Sequence, residues 1–285
     1  MKAIEVKNLS FKYRGADEWA LKDINLEIGE GEFVLIVGPT GCGKSTLCRC
    51  LNGLIPHFYE GEYVGDVYVY GIRVRETPTH VLARYVGMVF QEPEDQLIMT
   101  NVEREVAFGP ENLGLPREEV IRRIDWALEV LGIKHLRERA PYELSGGEQQ
   151  KVAIASILAM KPKILILDEP TSSLDPSSAK EVLDLLTELR EELKVTIVLV
   201  EHRLELIASR VDRVIVMDHG RVVDDGDPRE VLIKDHVVKL GVGVPKVLRA
   251  YKRLWPGKAL GRPPLTPGEF VRQVVNMYEE MRDKS

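Results

Sequence analysis

Long apolar runs are missing from this chain of 285 residues. The longest, such as Ile164 to Leu167 and Thr196 to Val200, fall far short of the roughly 20 residues that a helix needs to cross a bilayer. The chain is therefore expected to meet a membrane only through a partner. The stretch from Met1 to Tyr13 also lacks the apolar run of a secretory leader; Ile4 and Val6 alternate with polar neighbours instead, which reads as a strand and a cytoplasmic location. Cysteine is scarce. Cys42, Cys48 and Cys50 crowd into one short segment without distant partners, which excludes a disulfide framework. Excess positive charge is absent too: 39 basic against 45 acidic side chains give −6, the wrong sign for a nucleic-acid footprint, and no nucleic-acid partner is expected. Six Asn and five Gln among abundant Glu, Lys and Arg lean toward the composition of heat-tolerant proteins.

What is present is ordinary for a globular protein, with 44% hydrophobic and 29% charged residues and enough length for a large α/β unit plus an appendage. Phe33 to Gly38, Ile164 to Glu169 and Thr196 to His202 are near-continuous apolar runs that suit strands buried on both faces of a parallel sheet. Asp175-Pro176 reads as an N-cap with proline in the first helical position. Val182, Leu185, Leu186, Leu189 and Leu193 follow at helical spacing, as in a crossover helix. Val120, Ile124, Ala127, Leu128 and Leu131 mark another helical face with no strand beside it, an inserted helical subdomain. The sequence from Arg213 to Gly226 predicts two short strands around a glycine turn. Beyond about Pro228 the chain becomes proline-rich between Val244 and Pro267 and ends in a helix opened by a capping box, Thr266 to Glu269. That helix carries an apolar stripe of Val271, Val274, Val275 and Tyr278 that must cover something.

The residues Gly38, Pro39, Thr40, Gly41, Cys42, Gly43, Lys44 and Ser45 fit G-x-x-x-x-G-K-[ST], placed after a buried strand and at the head of the helical run Ser45 to Leu54, and Thr46 is counted with them as a nucleotide-binding candidate. The glycines allow successive backbone N–H groups to converge on phosphate oxygens at a helix N-terminus. Lys44 is expected to neutralise the β- and γ-phosphates, and Ser45 to occupy one position on Mg²⁺. A second carboxylate for that metal is needed, and Asp168 ends a buried strand; Glu169 follows where it can polarise an attacking water.

Leu144 to Gln150, "LSGGEQQ", completes a pattern with the phosphate loop upstream and "LDEPTSSLD" downstream. Together they resemble the ATP-binding cassette (ABC) ATPases, whose signature is LSGGQ; Glu148 here stands in place of the glutamine. The resemblance covers about residues 1–230 and implies a homodimer or heterodimer arranged head to tail. In it Ser145, Gly146, Gly147 and Glu148 face the nucleotide held by the other subunit, and Asp175 crosses the interface. It further implies that Tyr13 stacks on adenine, that Gln91 reaches the Mg²⁺ and water, and that His202 is the switch histidine on the γ-phosphate. Neither Glu148 nor Cys42 is expected to remove a phosphate donor, and no consensus catalytic position is missing.

The implied fold is α/β, a P-loop NTPase core of ABC type with an N-terminal antiparallel β region, an inserted helical subdomain at about 91–160 and a C-terminal extension over 231–285 that stabilises the dimer. DNA-repair members with long coiled coils and translation members with two cassettes do not match this chain. "FQEPEDQL" followed by "EVAFGPENLGLP" resembles the ATPase subunits of energy-coupling factor (ECF) transporters, and "EHRLEL" adds to the likeness. That resemblance implies an integral membrane coupling protein docked near Glu92, Glu94, Asp95, Leu97, Ile98 and Met99. Carboxylates there suit arginines, and the apolar residues suit a partner helix. Such a partner would in turn carry a membrane subunit for a vitamin or a transition-metal ion, leaving this chain as a peripheral ATPase on the cytoplasmic membrane face. The alternatives are the ATPase of a conventional ABC importer and a soluble ABC ATPase that regulates a protein or nucleic-acid assembly.

Overall fold

The computed structural model describes residues 1–255 and 262–282. Residues 256–261 of the proline-rich stretch and 283–285 of the extension lie outside the described residues. Ten strands and seven helices of eight or more residues occur among the described ones.

Six strands form one sheet in the order β10-β9-β3-β8-β7-β6: Arg221–Gly226 (β10), Arg213–Asp218 (β9), Phe33–Val37 (β3), Thr196–Val200 (β8), Ile164–Asp168 (β7) and Val86–Val89 (β6). All neighbours in it are parallel except β9 and β10, which form the expected hairpin. Side chains alternate between two cores, because successive Cβ atoms of a strand point to opposite faces. Phe33, Leu35 and Val37 join Leu165, Leu167, Ile197 and Leu199 on the helical side. Val34 and Ile36 join Ile164, Ile166, Val198 and Val200 on the other side. Both faces being covered, these strands read as unbroken apolar runs.

The second face is covered by an antiparallel sheet in the order β2-β1-β4-β5, made of Lys2–Tyr13 (β1), Leu21–Gly29 (β2), Gly61–Val69 (β4) and Ile72–Arg73 (β5). Between the sheets runs α1 (Lys44–Leu51), whose Cys48 and Cys50 are fully buried; Cys42 is buried as well, and all three thiols are free. The helical region is built from α2 (Val102–Asn112), α3 (Arg117–Val130) and α4 (Gly146–Leu158), packed on one another through residues that include Val106, Val120, Ile124 and Leu128. The crossover between β7 and β8 is α5 (Pro176–Leu193), with Asp175 as its N-cap and Pro176 in its first turn.

The extension carries α6 (Lys246–Leu254) and α7 (Pro267–Arg282). It packs on its own cassette through Val231, Leu232, Val237, Val244 and Leu248, which belong to the same core as the sheet. The expected capping box opens α7. Thr266 Oγ1 accepts from the Glu269 N–H at 3.3 Å, and the Glu269 carboxylate takes the Thr266 N–H in return, accepts from the Leu265 N–H at 2.8 Å and pairs with Arg229. Among the described residues the stripe on α7 stays largely open: Val271, Val275 and Tyr278 are 58%, 46% and 64% exposed, and Val274 is half-buried.

Candidate functional site

Parallel register brings the C-terminal ends of the central strands level, with Ile36 opposite Val200, Asp168 opposite Val200, and Val89 opposite Leu167. Four loops therefore leave the same sheet edge. The loop after β3 turns at Gly38, where a Cβ would stand 2.2 Å from the Met217 carbonyl oxygen and 2.7 Å from Cys42 Sγ. Gly43 has φ +108°, and a Cβ there would meet the Ala20 carbonyl at 2.5 Å. Only glycine fits at either position, and the loop is thereby held tight against β9 and the start of β2.

Lys44 opens α1 and is buried, its Nζ donating to the carbonyls of Gly38 at 2.9 Å and Pro39 at 3.1 Å. Pro39 and Ser45 are half-buried, while Thr40 and Gly41 lie exposed at the loop tip. Thr46 Oγ1 sits 3.2 Å from the Tyr13 hydroxyl, which also accepts from Arg49 Nη1 at 3.2 Å. Tyr13 is half-buried at the end of β1, with Phe11 edge-on at 4.8 Å between ring centres. The ring thus borders the helix that follows the phosphate loop.

Asp168, 5% exposed at the end of β7, has its pKa raised by burial; the Ser45 hydroxyl that hydrogen-bonds it works the other way. Its Oδ1 is buried without a hydrogen-bond partner. A buried carboxylate is costly unless something compensates it. A hydroxyl and an unsatisfied carboxylate oxygen beside a phosphate cradle fit a hard, oxygen-seeking cation such as Mg²⁺. No cluster of three or more His, Cys, Asp or Glu suited to a metal occurs among the described residues, so phosphate oxygens or water would have to complete the shell.

Glu169 follows with a left-handed backbone, φ 52°, its N–H bound to the Val200 carbonyl at 3.0 Å. One carboxylate oxygen lies 2.9 Å from His202 Nε2, and the other accepts from Gln91 Nε2 at 3.3 Å. Three residues from three separate loops thus meet at one carboxylate. His202 bonds to Glu169 rather than to the phosphate loop.

Sequence reasoning passed over the residues that hold these groups. Glu201, 3% exposed, accepts from the Thr171 hydroxyl at 2.5 Å and from the N–H groups of His202 and Arg203 at 2.7 and 2.9 Å. It pins the loop that carries His202. In the sequence it is only an acid beside the histidine, with nothing to mark it as buried. The extension also reaches this loop: Glu205 accepts from the Lys246 N–H at 2.9 Å, and a Cβ on Gly243 would stand 3.1 Å from the His202 carbonyl.

Ser145 and Asp175 share no hydrogen bond with this cluster. Ser145 caps α4, and both its N–H and its hydroxyl donate to Glu148 Oε2 at 2.8 Å. Gly146 and Gly147 form the first turn behind it, Gly147 close to Ser178. The carboxylate of Asp175 accepts from the hydroxyls and N–H groups of Ser177 and Ser178, which hold its pKa well below the usual range.

After Gln91, Glu92 precedes a single helical turn, Pro93–Gln96, without a side-chain bond to it; Glu92, Glu94 and Asp95 are exposed, and none takes part in an ion pair among the described residues. Leu97 packs against the core, Ile98 is 67% exposed and Met99 is half-buried. Glu105, another buried acid that the sequence reading missed, accepts from the N–H groups of Ile98 and Met99 at 2.8 and 2.7 Å. It fixes this segment beside a cleft of about 500 Å³ lined by Gln96, Ile98, Phe108, Leu113, Ile157 and Met160.

A family model described as ABC transporter matches residues 21–172. A relative from Pyrococcus abyssi is 50% identical over 86% of this chain and 88% of its own length. Another, from Pyrococcus horikoshii, is 46% identical over the whole of both chains, and both carry the provisional name ABC transporter ATP-binding protein. In a relative from Methanosarcina mazei, 45% identical, the match spans 88% of this chain but 43% of the longer protein. Among solved structures, CbiO1 from Clostridium perfringens, described as part of the ABC transporter complex CbiONQ, is 35% identical with a TM-score of 0.74. The match covers 88% of this chain and 99% of that one. A dimeric ATP-binding cassette in a post-hydrolysis state with ADP and Pi is 31% identical, with a TM-score of 0.70 over 79% of this chain and 99% of that one.

Proposed function

The chain belongs to the ABC transporter ATP-binding family, an ATPase and the ATP-binding subunit of an ABC transporter, and from that premise we propose that it powers an ECF-type importer. What carries this reading is the segment after Gln91. Gln91 itself touches Glu169, and the eight residues after it present three unpaired carboxylates and Ile98 beside an apolar cleft. A coupling helix with arginines and apolar side chains fits such a surface, and it would sense the site through one loop. The likeness to CbiO1, itself part of a CbiONQ complex, supports the choice of transporter class. Among the described residues no helix is long and apolar enough to cross a membrane, so the proposed membrane attachment would come through that partner.

In this proposal the phosphate loop and Lys44 hold the β- and γ-phosphates of ATP, with Tyr13 against the base. Ser45 and Asp168 hold Mg²⁺, assisted by Gln91; the ion when bound supplies charge neutralisation on the phosphates. Glu169 takes a proton from the attacking water, and its contacts with Gln91 and His202 orient the carboxylate. His202 would exchange Glu169 for the γ-phosphate as the site fills. Ser145, Gly146 and Gly147 of a second subunit would complete the far side, with Asp175 at the interface. The exposed stripe of Val271, Val275 and Tyr278 supports the view that the extension adds a second contact between subunits.

Affinity purification of the tagged chain from detergent-solubilised membranes of its own cell tests this. Two integral membrane proteins are expected to co-purify, one of them a small substrate-binding subunit for a vitamin or a transition-metal ion. Recovery of the tagged chain from the soluble fraction only would overturn the transport reading.

A further inference from the structure

The signature segment departs from its family at one residue, and the geometry there has a chemical consequence. Ser145, Gly146, Gly147 and Glu148 read S-x-x-E, a capping box, and the structure forms it fully. The Glu148 N–H reaches Ser145 Oγ at 3.4 Å, while Glu148 Oε2 accepts from the Ser145 N–H and from its hydroxyl, both at 2.8 Å. One carboxylate oxygen thus takes two donors at the start of α4, where the helix dipole also favours an anion. Glutamine closes the same box with its amide oxygen and carries no charge.

We propose that Glu148 is a tethered anion occupying the signature site, which the γ-phosphate held by a second subunit must displace before the dimer can close. A phosphate offers only acceptors, so it competes with Glu148 for the Ser145 hydroxyl proton. The two anions also repel in a closed, water-poor interface, where charges interact more strongly than in bulk water. Lys151 and His135 lie near enough to Glu148 to attract it, but Lys151 is already paired with Glu181 at 3.0 Å, so the acid keeps much of its field. The backbone and hydroxyl bonds from Ser145 hold the Glu148 pKa low, and the charge is present throughout the neutral range. Glu148 is a positioning residue in this scheme: it sets how much nucleotide is needed to close the dimer and leaves the chemistry at Glu169 alone.

The inference rests on the head-to-tail reading, so it is tested in a Glu169→Gln background that can hold a closed dimer. Sedimentation with Mg·ATP is measured for Glu169→Gln and for Glu169→Gln with Glu148→Gln, at about 50 mM and at about 500 mM salt. The second variant is expected to need several-fold less ATP for half-maximal dimer at low salt. The gap should narrow at high salt, because screening weakens the repulsion that only the carboxylate suffers. Equal or weaker dimerisation by the Glu148→Gln protein, or a gap that salt does not change, overturns the proposal. Failure of the Glu169→Gln protein itself to dimerise overturns the head-to-tail reading and the proposal with it. Thermal melting of Glu148→Gln within a few degrees of the parent confirms that the cap survives; a large drop would sink the claim that only charge distinguishes the two side chains.

Discussion

Glu169 and His202 lie 2.9 Å apart, carboxylate oxygen to imidazole Nε2, although they are 33 positions apart in the chain and each follows a different strand of the parallel sheet. The register of β7 against β8 makes that contact, and Gln91 reaches the other carboxylate oxygen from the loop after β6. A carboxylate held from both sides is oriented before any water arrives, as the general base proposed for Glu169 would need to be.

Replacing Glu169 by Gln keeps the shape and removes the proposed base. ATP turnover should fall roughly 10²- to 10⁴-fold, the usual range for a lost general base, with ATP affinity preserved. Steady-state hydrolysis alongside equilibrium binding of a fluorescent ATP analogue checks both halves. Activity within about threefold of the parent would remove Glu169 from the chemistry.

Asp168 pairs a raised pKa with an orphaned Oδ1, which gives a prediction of opposite sign for the empty and the loaded protein. An acid whose folded pKa lies above its unfolded value destabilises the fold at any pH where it is ionised, so at neutral pH its charge costs stability. Asp168→Asn should melt at the same temperature as the parent or higher without nucleotide. Its apparent affinity for Mg²⁺ in the presence of ATP should drop by about 10- to 100-fold. Calorimetric melting with and without Mg·ATP distinguishes the two effects.

The acids after Gln91 should matter for coupling and little for hydrolysis. Replacing Glu92, Glu94 and Asp95 together by Ala removes three exposed carboxylates that touch none of the phosphate-loop residues. Basal ATPase activity should stay within about twofold, since solvent-exposed charges contribute little to a folded chain. Co-purification with membrane proteins should be lost. Wild-type recovery of those proteins would move the docking site elsewhere.

Arg229 clamps the start of α7 through two hydrogen bonds to Glu269, at 2.6 and 2.8 Å, and a third to the Pro263 carbonyl at 2.8 Å. The guanidinium holds the Glu269 pKa down at about 2, against an ordinary value of 4.5. A depressed acid stabilises above its unfolded pKa, so docking of α7 should be full above pH 4.5 and weaken as pH falls toward 2. Arg229→Ala should loosen the helix by roughly 1–2 kcal/mol, a typical cost for charged hydrogen bonds. Amide exchange of α7 at pH 7 and near pH 3 reads this out: the parent should lose protection on acidification, and the variant should start low and change little.

Much of the fold was legible because its signals are local. The phosphate loop, the apolar strands of the parallel sheet, the Asp175 cap and the helical face of α3 each depend on neighbours within a few residues. Glu201 and Glu105 were not legible. Each is a buried acid satisfied by N–H groups and, for Glu201, by a distant threonine, and nothing in the local pattern separates such an acid from a solvated one. The capping box at Thr266 was legible, but the Arg229 that clamps its glutamate was not, being 40 residues away in the chain.

By itself the sequence determined the family and its ATPase class, because the glycines, Lys44, Ser45, Asp168 and Glu169 sit in spacings that suit a phosphate-binding turn and a strand end. Tertiary structure alone decided which residues meet: strand register set Glu169 against His202 and Gln91, and packing turned the extension onto the loop that His202 occupies. The reason is physical. Motif spacing is fixed along the backbone, whereas a contact between loops depends on how several buried strands align, a property shared among segments far apart in the chain.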